Sequence, residues 1–156
     1  WRLLERSFET ALRIPQDSTA RGEMLLGAHL AGCAIERSML GAAHACANPL
    51  TALRPIAHGE AVGLLLPHVI RFNAGGGENP YAELMPDAAE LGQRVEGMVA
   101  AAGGPRTLSE IGVSREDLPA LAELAAAQWT AGFNPRPVGR EELLSIYEAA
   151  LGNQSA

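Results

Sequence analysis

The chain has 156 residues, the length of one ordinary domain, and 47% of them are hydrophobic against 19% charged, so it has the apolar content to fold. Twelve Lys and Arg against eighteen Asp and Glu leave a net charge of −6, interspersed in sign, and aromatic residues make up only 4%. Such a composition excludes a clustered basic face for phosphates and a platform of base-stacking rings, so no nucleic-acid partner is expected.

Alanine is used heavily and no stretch alternates apolar and polar residues over strand length between turn signals, so the chain reads as a single all-helical domain over residues 1–156. The opening Trp1-Arg2-Leu3-Leu4-Glu5-Arg6 has no initiator methionine, apolar signal core or cleavage site, which reads as a portion of something longer. A first helix is predicted from Trp1 to Arg13, ended where Ile14 precedes Pro15. Asp17 or Ser18 caps a second helix, in which Met24, Leu25, Ala28, Ala31, Ala34, Ile35 and Met39 recur at three- and four-residue steps until Gly41 stops it. This pattern predicts a long, mostly buried helix, and His29, Glu36 and Arg37 interrupt it too soon for a membrane span.

A short helical piece over residues 42–50 should break around Pro49, with a loop through Arg54 and Pro55 and a new helix near His58. The run 63–70, with Pro67 in its middle, reads as a buried, kinked helix rather than a strand. Residues 73–80 contain Gly75-Gly76-Gly77 and must form a loop. Residues 87–102 read as a helix ended by Gly103 and Gly104. Thr107 and Glu110 have capping-box spacing ahead of a short turn, and Ser114 caps a helix running to about Gln128. Asn134-Pro135-Arg136-Pro137 is a rigid turn before a last amphipathic helix, residues 140–151.

Imidazole is the commonest metal ligand and the commonest general base, so each of the four histidines is a candidate for chemistry. His44 and His58 lie fourteen positions apart across a helix, a Pro-containing turn and a helix start. A folded turn can bring both to one ion, but with no carboxylate at a telling offset and no His-x-x-x-His pair the spacing by itself favours two surface or cap histidines. Asn48, four residues after His44, shares its helix face. Cys46 is turned about 200° away from His44 by the helical period and makes a poor third ligand. Cys46 and Cys33 read as small buried hydrophobes, too few for a disulfide framework, which suits a reducing, cytoplasmic compartment. His29 reads as a core histidine and His68 as structural. No glycine-rich strand-to-helix turn, phosphate-binding Lys loop or serine elbow is present, so the chain offers no nucleotide site of its own.

Three blocks carry a resemblance: Gly41-Ala42-Ala43-His44-Ala45-Cys46-Ala47-Asn48-Pro49-Leu50, then His58-Gly59-Glu60-Ala61, then Leu66-Pro67-His68-Val69-Ile70-Arg71-Phe72-Asn73. In order and spacing they resemble the C-terminal domain of the iron-containing alcohol dehydrogenases. Ala20-Arg21-Gly22 and Ala31-Gly32-Cys33-Ala34 with Leu40-Gly41 resemble that family's long helix, and Asn134-Pro135-Arg136 with the last helix resembles its C-terminal end.

The resemblance implies an N-terminal dinucleotide-binding domain, not contained in these residues, that encloses a cleft with the helical domain. It also implies a divalent ion, Fe2+ or Zn2+, held by His44 and His58. The family's other two ligands, an Asp and a His one turn apart on an earlier helix, should precede Trp1. Implied too are NAD or NADP as cofactor in the complete enzyme and a small alcohol or aldehyde as substrate. Many relatives carry a histidine where this chain has Asn48, on the face beside the nicotinamide; an amide does not titrate near pH 7, so here the position is left with hydrogen bonding to substrate or cofactor. The fragment alone is not expected to be active, and its uncovered interfacial surface makes a homo-oligomer a further expectation. A related dehydrogenase-like enzyme of the glycerol dehydrogenase or dehydroquinate synthase type, using zinc, fits the same fold. The contrasting reading is a stand-alone helical binding or oligomerisation module that has lost catalysis.

Overall fold

Seven α-helices carry residues 1–152, which are the residues described by the structure, a computed structural model, and no strand occurs among them. The all-helical expectation therefore holds. The helices fall into two compact units, Trp1–Met39 and the residues from Leu40 onward.

The first unit is a helical hairpin of α1 (Arg2–Arg13) and α2 (Ser18–Ser38). Ile14 closes α1 through its N–H to the Thr10 carbonyl, 2.8 Å. Asp17 is the cap that forms: its Oδ1 accepts the Ala20 N–H at 2.9 Å. The helices touch where α2 is smallest, since a Cβ on Gly27 would come within 2.7 Å of Leu4 Cδ2. Glu23 accepts from Arg6 and Ser7 across the pair, and Ser7 first, then Arg6, hold its carboxyl below the usual range.

α2 has the predicted length but not the predicted burial. Only Ala20 and Gly27 are buried, whereas Leu25 is 71% and Leu30 53% exposed. In this unit α1 covers the stripe of small residues through Ala20 and Gly27, which admits a close neighbour, instead of the broader Met24–Ala28–Ala31 stripe. His29 and Cys33 are consequently exposed, not in a core, with Sγ 3.7 Å from Nε2. The helix also stops before Gly41: Met39 leaves the helical region at φ 63°, ψ −177°, and donates its N–H to the Ile35 carbonyl at 2.8 Å.

The second unit is built around α3 (Ala42–Leu53), against which α4 (His58–Ala74), α6 (Leu118–Ala126) and α7 (Arg140–Leu151) pack, while α5 (Ala88–Ala101) lies along α4. Ala42, Ala43, Ala45, Cys46, Ala47 and Leu50 are buried; alanine lets three neighbouring helices approach one backbone. Leu65, Leu118, Leu121, Leu143, Ile146 and Tyr147 fill the surrounding space. Tyr147 donates its hydroxyl to the Cys46 carbonyl at 2.7 Å, fixing α7 on α3.

α3 does not break at Pro49 but runs through it to Leu53. An interior proline costs about 3 kcal/mol, and full burial of one Leu side chain returns about 1.5–3 kcal/mol. Pro49 and Leu50 are both buried, so packing outweighs local propensity. Thr51 Oγ1 also donates into the Ala47 and Asn48 carbonyls, at 3.3 and 3.0 Å. Pro67 likewise lies inside α4, so residues 63–70 are helical as read. Gly75–Gly77 lie just beyond α4, and Asp87 caps α5 by accepting the Ala89 and Glu90 N–H groups at 2.7 and 3.2 Å.

The later turns deviate in detail. Glu110 reaches the Arg106 N–H at 2.9 Å, one residue earlier than a capping box would have it, and residues 109–111 form a single 3₁₀ turn ended by Gly112 at φ 76°. Ser114 precedes a 3₁₀ turn, residues 115–117, before α6, which ends at Ala126 rather than Gln128; a further 3₁₀ turn spans Trp129–Phe133.

The two thiols differ sharply. Cys46 is fully buried and burial pushes its pKa up to about 12, while Cys33 is exposed. Titration of the folded chain with a thiol reagent should therefore label one cysteine, Cys33, and reach the second only on unfolding; rapid labelling of Cys46 in Cys33→Ser would contradict the packing of α3.

Candidate functional site

Over its first nine residues, α3 is buried on every face but one. From Ala42 to Leu50 the only residues left partly open are His44 and Asn48, and Thr51 continues the same strip at the i, i+4, i+7 spacing of one helix face. Cys46 points into the core, as the helical period required.

A tight connection returns the chain beside that strip. Ile56 donates to the Arg54 carbonyl at 2.9 Å, and the Arg54 guanidinium bonds Asp117 Oδ2 at 2.9 Å, anchoring the turn to the start of α6. The Ser114 backbone N–H first, then Arg54, hold the Asp117 carboxyl below the usual aspartate range. His58 is the first residue of α4, and its ring centroid lies 5.4 Å from that of His44 with the planes tilted by 48°. Two imidazoles that share one ion at about 2.1 Å have centroids about 5 Å apart. Burial first, and then the neighbouring His58, lowers the pKa of His44, which keeps its imidazole neutral at pH 7 with a nitrogen lone pair available. The donor set is thus the right chemistry for Fe2+ or Zn2+, and it is partial: among the described residues no group of three or more His, Cys, Asp or Glu is placed to hold a metal.

Asn48 donates its Nδ2 to Gln128 Oε1 at 2.9 Å. Gln128, just beyond α6 and 80 positions along the chain, was not legible as a site residue, because nothing in local spacing links it to α3. After it, Trp129 and Phe133 form an edge-to-face pair, centroids 5.8 Å apart, on the surface of the same turn. His68 is remote in kind: half-buried on α4, its pKa lowered chiefly by burial, it lines a separate cavity of about 330 Å³ with Leu64, Pro67, Glu96, Arg106 and Glu110.

An amide network sets the start of α3. Asn134 Oδ1 accepts the Ala42 N–H at 3.2 Å, and its Nδ2 donates to Asn73 Oδ1 at 2.7 Å and to the Arg136 carbonyl at 2.6 Å. A Cβ on Gly41 would lie 3.0 Å from Asn134 Oδ1, so glycine makes room for this cap. Buried Asn73 donates in turn to the Tyr81 hydroxyl at 2.6 Å.

With this geometry in place, comparison with known proteins is decisive on ancestry. Residues 1–151 match the family model described as the Fe-containing alcohol dehydrogenase family, C-terminal. The chain belongs to the iron-containing alcohol dehydrogenase family. Within it, the chain is 36% identical over 150 residues to the lactaldehyde reductase of Escherichia coli K12, covering 86% of this chain and 38% of that one. It is 32% identical over 163 residues to the 1,3-propanediol dehydrogenase of Citrobacter freundii, covering 96% and 42%. A crystal structure of 1,3-propanediol oxidoreductase superposes with a TM-score of 0.85 at 30% identity, over 96% of this chain and 43% of that one. The chain therefore corresponds to the C-terminal helical part of an iron-containing alcohol dehydrogenase and spans about two fifths of the length of these relatives.

The Asn134 network predicts a stability effect. Asn134→Ala removes the cap on Ala42 and leaves Asn73 short of a partner, so thermal unfolding should show a loss of about 1–3 kcal/mol. An unchanged melting curve would show that α3 does not need this cap.

Proposed function

We propose that this chain is the metal-liganding half of a nicotinamide-dependent alcohol dehydrogenase, exchanging hydride between a small alcohol or aldehyde and NAD or NADP. The observation that supports it most is the 5.4 Å approach of His44 and His58 in a chain of this family. Lactaldehyde reductase and 1,3-propanediol dehydrogenase are the names of two relatives, which favours a small, oxygenated substrate.

In this reading His44 and His58 are two ligands of a divalent ion, Fe2+ or Zn2+, and residues N-terminal to this chain complete the ligand set and bind the nucleotide. When bound, such an ion supplies Lewis-acid polarisation of the alcohol or aldehyde oxygen, which prepares the carbon for hydride exchange. The lowered pKa of His44 keeps its imidazole a ligand rather than a cation. Asn48, on the same helix face, hydrogen-bonds substrate or nicotinamide and carries no proton, since an amide does not titrate in this range. Cys46, buried and protonated, takes no part. No helix among the described residues is long and apolar enough to cross a membrane; we place the enzyme in the cytoplasm, where its two free thiols would stay reduced.

The test is metal content of the complete enzyme by elemental analysis. His44→Ala and His58→Ala should each lose most of the bound metal and the activity with it, while circular dichroism keeps its helical signal, because both side chains lie outside the packed core. Stoichiometric metal in both variants would leave the chain as a helical module without this chemistry.

A further inference from the structure

An asparagine amide has two chemically opposite edges, and which one a site receives decides what it recognises. In this chain the choice is made by Gln128. Its backbone is pinned on both sides, with its N–H on the Ala125 carbonyl at 3.0 Å and its own carbonyl accepting the Ala131 N–H at 3.1 Å. Its side-chain Nε2 lies 3.5 Å from the Leu124 carbonyl, an orphan acceptor in the last turn of α6. A carbonyl can only accept, so the NH2 end of Gln128 belongs there and its Oε1 is delivered to Asn48. Asn48 answers with its own NH2, Nδ2 to Oε1 at 2.9 Å. The chain of three groups thus has one consistent polarity, from Asn48 through Gln128 to Leu124. Asn48 Oδ1 is left as the unpartnered edge on the strip shared with His44, and no described residue donates to it.

We infer that Gln128 is a positioning residue, which locks the amide of Asn48 so that the site presents a hydrogen-bond acceptor and selects a ligand bearing an O–H or N–H donor. This rests on the functional reading above and deepens it. Two ligands can bring the donor: a substrate with a second hydroxyl beside the reacting carbon, or the carboxamide NH2 of the nicotinamide. A hydroxyl-free aldehyde cannot use the acceptor.

Two arms test it in the complete enzyme. The first is independent of turnover: the side-chain NH2 signals of Asn48, assigned by ¹⁵N–¹H spectra, are followed for hydrogen exchange. Gln128→Met, of similar length but without polar atoms, should speed that exchange about fivefold, the scale of one neutral hydrogen bond. Gln128→Glu keeps an acceptor for Nδ2 and should restore slow exchange.

The second arm compares lactaldehyde with propionaldehyde, which share a carbon skeleton and differ by one hydroxyl. In Gln128→Met the KM for lactaldehyde should rise about fivefold with propionaldehyde within twofold, and Gln128→Glu should recover it. A rise confined to the KM for the reduced nicotinamide cofactor would instead identify the carboxamide as the donor, with the positioning role intact. Unchanged Asn48 exchange in Gln128→Met would overturn the inference, as would equal loss on both aldehydes and cofactor. An enzyme inactive on every alcohol and aldehyde would sink the functional reading alone, and the exchange arm would still decide the role of Gln128.

Discussion

The candidate site depends on how tightly α3 is held. From Ala42 to Leu50 the helix is buried on all but one face and has no freedom to roll, so the strip it leaves open there is fixed in direction, and His44 and Asn48 are on it. Alanine permits this by lacking bulk: α4, α6 and α7 close in on the backbone itself, and Tyr147 reaches through to bond the Cys46 carbonyl. The same packing absorbs the proline at position 49, whose missing N–H would end a free-standing helix.

Polar ties then set the ends. At the N-terminus of α3, Asn134 and Asn73 form a mutually satisfied amide pair that caps Ala42, and Arg136 adds a bond of 2.6 Å to the Phe72 carbonyl with its guanidinium 4.0 Å over the Phe72 ring. At the C-terminus, the Arg54–Asp117 pair anchors the turn that returns His58 to His44. Because the Asp117 carboxyl is held below its ordinary 3.8, this tie is fully present above that pH and is lost as the pH falls through the lowered value. The site is therefore positioned by packing in its middle and by hydrogen bonds at its margins.

Much of this was legible in the sequence where one element decides the outcome. Residues 140–151 carry an apolar period that fits one helix face, and they form that helix. The direction of Cys46 followed from its two-residue offset from His44. Legibility failed where a partner element decides. The apolar stripe of α2 called for burial, but within its unit α1 chose the small residues at Ala20 and Gly27 instead, and left His29 and Cys33 outside. Pro49 looked like a break because the packing that compensates it comes from other helices. Gln128 gave no signal at all, since its meaning lies in an amide 80 positions away.

If the two rings belong to one ion, anomalous diffraction at the metal edge of the complete, metal-loaded protein should show one peak bonded at about 2.1 Å to a nitrogen of both His44 and His58. A peak on one ring alone, or at a place that neither ring reaches, would contradict it.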